Sequence, residues 1–151
     1  MKILKIQALR GPNIWSVQRK KLIQMRLDLE EMEQFPTNKI EGFRERIEAM
    51  FPTMIEHRCS EGCRGGFFSR VERGTWMGHV IEHIALEIQT LAGMETGFGR
   101  TRETKTPGVY NVVFSYTEEN VGLFAAESAV AIAESLIAGT EYDVEADIQK
   151  M

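Results

Sequence analysis

Two imidazoles and a carboxylate fall within five residues in the run His79-Val80-Ile81-Glu82-His83, inside a stretch whose pattern predicts a helix from Thr75 to Leu91. At about 100° per residue, His79 and His83 lie about 40° apart on one face, one turn above the other, with Glu82 about 60° to the other side. Both imidazoles can therefore reach one metal ion. Histidines at i, i+4 suit Zn²⁺, and a carboxylate beside them can take a proton from water activated at such a centre. The order of residues is that of the inverted zinc-peptidase motif, H-x-x-E-H, rather than H-E-x-x-H.

A catalytic zinc needs a third protein ligand and an open position. The only cysteines, Cys59 and Cys63, lie upstream in the glycine-rich run Arg58-Cys59-Ser60-Glu61-Gly62-Cys63-Arg64-Gly65-Gly66, with Arg58 and Arg64 as a positive setting for thiolates. One cysteine with two histidines leaves a position free, whereas both would close the shell as Cys₂His₂ and make the metal structural. The C-x₃-C spacing is looser than most zinc knuckles, and it leaves both arrangements open. The competing reading is a pair of surface histidines that meet by chance, with one buried cysteine and one free thiol. On the helical wheel Val80, Ile81, Ile84, Ala85, Ile88, Leu91 and Ala92 form one apolar arc, so the histidine face is expected to point away from the core. Trp76 and Leu86 among the histidines predict a covered cleft rather than open solvent.

The elements that must position these residues follow an α+β order. Lys2 to Leu9 and Lys21 to Leu29 read as strands, separated by the turn Arg10-Gly11-Pro12-Asn13. Glu30 to Lys39 reads as a polar loop, and Ile40 to Met50 as a helix stopped by Pro52. Gly66 to Glu72 reads as a short strand with Phe68 and Val71 inward. After the H-x-x-E-H helix Gly93 supplies a C-cap. Thr96 to Thr104 and Val109 to Tyr116 form a hairpin about Thr106-Pro107-Gly108. Thr117 is the expected N-cap of an Ala-rich helix that ends at Gly139, and the acidic tail forms one more short helix or frays. The architecture expected is a two-layer sandwich of a four- to five-stranded sheet with two main helices, folded as a single domain.

In the hairpin, alternation puts Arg100 and Arg102 on one side of a strand, with Lys105 beyond. If that strand borders the cleft, these cations can hold a substrate carboxylate; the alternative is a solvated strand face. Gly97-x-Gly99 is too short and too late to be a dinucleotide loop.

With 151 residues, 43% hydrophobic and 26% charged, the chain is long enough to bury a substantial core. No run of about 20 apolar residues predicts a membrane span. The N-terminus alternates charge and lacks a signal core, so a cytoplasmic location is expected. A net charge of −4 and the lack of an aromatic-basic platform argue against nucleic acid as a partner. Charge is split along the chain: Met1 to Leu27 holds seven Lys or Arg and no acid, whereas beyond Lys105 one lysine faces eight acids. Such a split either neutralises itself in the fold or meets a partner of both signs.

Lys2-Ile3-Leu4-Lys5-Ile6, Leu9-Arg10-Gly11-Pro12-Asn13-x-Trp15-Ser16, Met25-Arg26-Leu27-Asp28-Leu29-Glu30 and Gly78-His79-x-x-Glu82-His83 together resemble the amino-terminal domain of the cyanophycin synthetase family, over essentially the whole chain. That family makes a storage polymer with a poly-aspartate backbone and arginine on each side chain, using an ATP-grasp and a Mur-ligase-like domain, neither of which this chain contains. The resemblance implies a domain that binds the polymer near the ligase sites. In some members it also resembles a zinc metallopeptidase that cuts polymer internally to supply primer ends. It implies His79, His83 and Cys59 as zinc ligands, with Cys63 the alternative, and Glu82 as base; Arg100, Arg102 and Lys105 are the candidates for polymer contact. The implied partners are cyanophycin, the other synthetase domains and further copies through the full-length enzyme. Larger H-x-x-E-H peptidases take their third ligand from a distant Glu, so their geometry does not transfer. Cyanophycin carries guanidinium tips and carboxylates, which matches a partner of both signs.

Overall fold

The computed structural model describes residues 1–16 and 21–151. Four antiparallel strands, β1 (Lys2–Leu9), β2 (Leu22–Asp28), β3 (Gly99–Glu103) and β4 (Val109–Ser115), form one sheet in the order β1-β2-β4-β3. The helices are α1 (Phe43–Met50), α2 (Gly66–Arg73), α3 (Met77–Leu91), α4 (Glu119–Ala138) and α5 (Val144–Ile148). The segment expected as a polar loop winds instead into 3₁₀ turns at Glu30–Gln34 and Thr37–Lys39.

Strand alternation decides which sheet face is covered. Ile23, Met25 and Leu27 of β2 lie opposite Phe114, Val112 and Tyr110 of β4, and all six join the core beneath the helices. The long helices share that face, α3 against β3 and β4, α4 against β1 and β2. They also pack on each other, closely because α4 presents Ala125, Ala126, Ala129 and Ala133, all fully buried. Gly122 sharpens the fit, since a Cβ there would stand 2.7 Å from Tyr116 and 2.9 Å from Ile23. Among the described helices α4 is long and apolar enough to cross a membrane, with a mean hydropathy of 1.6 over 18 residues. Glu127 and Glu134 interrupt it, so no continuous apolar run marks it in the sequence, and its apolar side packs into the core.

Two local expectations are corrected. Gly66 to Glu72 is helical, because Phe67, Phe68 and Val71 are all buried at i, i+1 and i+4, a pattern that strand alternation cannot bury on one face. Thr117 does not cap α4. Its hydroxyl donates to the Glu95 carbonyl at 3.0 Å, and Glu118 takes the cap position without a side-chain bond. The cap after α3 is a Schellman turn: Gly93 at φ 85° donates to Thr90 and Met94 donates to Gln89. The two charged ends of the chain meet at some points: Arg10 pairs with Glu119, and the N-terminal ammonium lies 3.1 Å from Glu134.

Candidate metal centre

The histidine face of α3 does not look out to solvent. From Met77 to Gln89 every residue but His79 is buried, because the sheet and α4 cover most of α3 and Phe67 of α2, with His57 and Cys59 of the turns before it, covers the histidine side. Phe67, fully buried, forms the floor: its ring lies 4.3 Å from that of His83, 6.0 Å from that of His79 and 6.3 Å from that of His57. The covering turn is held by backbone bonds from Gly65 to Ile55 at 2.6 Å and from Phe67 to His57 at 3.1 Å. A glycine is required at 66, where a Cβ would stand 2.1 Å from the Arg58 carbonyl oxygen. Cys59 itself takes the left-handed conformation at φ 53°, which costs a non-glycine residue on the order of 1 kcal/mol or more and turns its thiol toward α3.

Cys59 Sγ lies 3.1 Å from His79 Nε2, which lies 3.1 Å from His83 Nε2, and the three donor atoms fall within 4.8 Å of one another. Cys63 stands apart and exposed, and no other such group of metal donors occurs among the described residues. The donor chemistry fits a zinc-like ion. Nitrogens on one tetrahedral ion at about 2.0–2.1 Å stand about 3.3–3.4 Å apart, close to the separation seen. His79 Nδ1 has a partner in Thr75 Oγ1 at 2.9 Å, and His83 Nδ1 in His57 Nδ1 at 2.8 Å. With both Nδ1 protons placed there, the two Nε2 lone pairs and the sulfur face one another, an arrangement that a cation relieves. Burial, with Arg70 nearby, lowers the His79 pKa to about 4; burial, then His79 and His57, hold His83 well below its ordinary value, so both rings are neutral ligands near pH 7.

Glu82 is 6% exposed and accepts a 2.6 Å hydrogen bond from Thr101 on β3. Burial pushes its carboxyl up to about 7, against the opposing pull of the Thr101 bond and the Arg100 charge. That value suits a group that both takes and returns a proton near neutrality. Room for the carboxylate comes from Gly99, whose missing Cβ would lie 2.3 Å from Glu82 Oε1.

These groups open on a cleft of about 820 Å³ that Cys59, His79, His83 and Glu82 line together, within the size range of small-ligand sites. Three arginines reach it: Arg58, Arg70 and Arg100. Arg102 and Lys105 do not line it. Arg102 lies opposite Asn111 on the outer sheet face, and Lys105 is exposed in the turn beyond β3. Sequence reasoning missed Arg70, Thr101 and the third histidine, His57, whose Nε2 lies 2.8 Å from Glu87. A signal for Thr75 and Glu87 was present: with His79 and His83 they repeat every four residues, a polar stripe along an apolar helix.

Comparison with known proteins shows the family of the chain. Residues 24–138 match the family model described as the cyanophycin synthase-like N-terminal domain. The chain is similar to cyanophycin synthetases of Geminocystis herdmanii, 57% identical over 96% of this chain and 17% of that protein, and of Synechocystis sp., 53% identical over 100% and 18%. That of Crocosphaera subtropica is 56% identical over 91% and 16%. The chain thus spans less than a fifth of these relatives. With residues 24–138 matched, a span that takes in β3, β4 and both long helices, the chain belongs to the cyanophycin synthase-like N-terminal domain family.

Proposed function

We propose that this domain is a zinc-dependent endo-hydrolase of cyanophycin that supplies new primer ends to the synthetase of which it forms part. The observation that carries the reading is the convergence of Cys59, His79 and His83 beside a buried, nearly neutral-pKa Glu82 in an arginine-lined cleft. Three protein donors, with Cys63 exposed elsewhere, leave a coordination position free. Zinc held there would supply Lewis acidity to the scissile carbonyl and lower the pKa of water.

The residues do the rest. Arg58, Arg70 and Arg100 receive polymer carboxylates and fix the chain across the cleft. Glu82 takes a proton from the attacking water as its oxygen bonds to the amide carbon. The same carboxyl returns that proton to the leaving nitrogen as the C–N bond breaks, and the new carboxylic acid passes its remaining proton to the released amine, giving one carboxylate and one ammonium group. Thr101 holds Glu82 in place through both steps.

Tethering of polymer is a second reading of the same domain, supported by the outer sheet face. There the register sets Lys5, Arg26, Asn111 and Arg102 in one row across all four strands. No ion pair to these cations forms among the described residues. Gln7, Gln24 and Asn111 are linked by amide hydrogen bonds of 2.9 and 3.1 Å beside that row. Such a face suits repeated carboxylates held with modest affinity at each contact.

To separate the two, the zinc-loaded chain and its Glu82→Gln variant are incubated with cyanophycin and polymer length is followed. Shortening by the parent alone, with both proteins retaining polymer, is expected. Equal cleavage by both rules out Glu82 as the base, and loss of folding on chelation without any cleavage assigns the metal a structural role.

A further inference from the structure

His57 and Glu87 lie outside the H-x-x-E-H motif, yet they continue the hydrogen-bond line from His83. His57 Nδ1 lies 2.8 Å from His83 Nδ1, His57 Nε2 lies 2.8 Å from Glu87 Oε2, and the Thr53 hydroxyl donates to the other Glu87 oxygen. Glu87 is 3% exposed, and a buried carboxylate without donors would be strongly disfavoured. As an acceptor it draws the His57 proton to Nε2. That leaves a lone pair on His57 Nδ1, which can accept only from a proton on His83 Nδ1. His83 Nε2 is then the free nitrogen, and it is the one that faces His79 and Cys59.

We propose that Thr53, Glu87 and His57 form a positioning relay that fixes the His83 tautomer and ring orientation for metal binding. The inference rests on the metal-centre reading above. It is specific to one ligand, because His79 is oriented separately through Thr75. A partner of this kind behind a ligating histidine changes metal affinity by about 10–100-fold when lost.

The test is zinc affinity of the chain by competition with a chromophoric chelator, for the parent, His57→Leu and His57→Asn. Leucine fills similar space without polar atoms, whereas the asparagine oxygen restores an acceptor near the Nδ1 position. His57→Leu is expected to bind zinc about 10–100-fold more weakly, with His57→Asn recovering most of the loss and all three metal-free chains giving the same circular dichroism spectrum. Equal affinity in parent and His57→Leu, or an asparagine variant as weak as the leucine one, overturns the relay and leaves the metal centre standing. A parent that binds no zinc overturns both. Cleavage of polymer is not needed for any of these outcomes.

Discussion

Substitution of Gly99 by alanine should separate catalysis from metal binding. A Cβ at this position would stand 2.3 Å from Glu82 Oε1, 2.6 Å from its Cδ and 2.7 Å from its Cγ. Non-bonded carbon and oxygen do not approach within about 3.0 Å, so the carboxylate must retreat by at least about 0.7 Å. Gly99 sits in β3 without a positive φ, so the backbone accepts alanine, and the group that yields is the end of a side chain. The retreat stretches or breaks the 2.6 Å bond from Thr101 and takes the proposed base off its line of attack. A misplacement near 1 Å costs about 100-fold in rate, while the three atoms nearest the new methyl all belong to Glu82 and none to Cys59, His79 or His83. The expected result for Gly99→Ala is cyanophycin cleavage slowed about 100-fold, with zinc stoichiometry and the thermal midpoint close to the parent's. Cleavage at the parental rate would refute the role given to Glu82 and its fit against β3. A parallel loss of zinc would show that the substitution disturbs α3 as a whole.

Three further outcomes are expected. Gly66→Ala meets the Arg58 carbonyl at 2.1 Å, backbone against side chain, so the turn carrying Cys59 must shift; chelator competition should show zinc affinity falling at least about tenfold. Phe67→Ala empties the floor beneath three imidazoles and should lower stability by about 3–5 kcal/mol in urea unfolding, with zinc restoring part of it by binding the folded state. In the metal-free chain, burial raises Glu82 from 4.5 to about 7, so the folded state holds this proton more tightly than the unfolded one. Its contribution is full below about pH 4.5 and is lost as pH rises through about 7, a change of about 3 kcal/mol. Unfolding of the metal-free parent against Glu82→Gln between pH 4.5 and 8 should show the variant gaining relative stability with rising pH, and parallel curves would contradict the burial argument.

The long elements were legible because their patterns have one solution. β2 alternates through Ile23, Met25, Leu27 and Leu29 and α3 repeats at 3.6, whereas β4 and α4 are near-continuous apolar runs bounded by Gly108 and Gly139, and the β2–β4 register buries Ile23, Met25, Val112 and Phe114 together. The run Gly66 to Arg73 was misread because eight residues with three apolar ones allow either period, and only the packing of Phe67 under α3 decides it. Within the site, H-x-x-E-H is a local signal and could be read directly, as could the expectation of a nearby thiol. Which cysteine approaches depends on the left-handed turn at Cys59 and the close passage of Gly66 beneath Arg58, and these are tertiary facts. His57 and Thr101 come from elements distant in sequence, so no spacing rule links them to His83 and Glu82. Arg102 shows the converse: alternation grouped it with Arg100, but only the edge position of Arg100 reaches the cleft.

Zinc K-edge absorption of the metal-loaded chain can count the ligands of the proposed centre of one sulfur and two imidazoles with a free position. The expected spectrum shows a single sulfur at about 2.3 Å and two imidazole nitrogens at about 2.0–2.1 Å, and it is unchanged in Cys63→Ser. Two sulfurs in the first shell, or none, would contradict it.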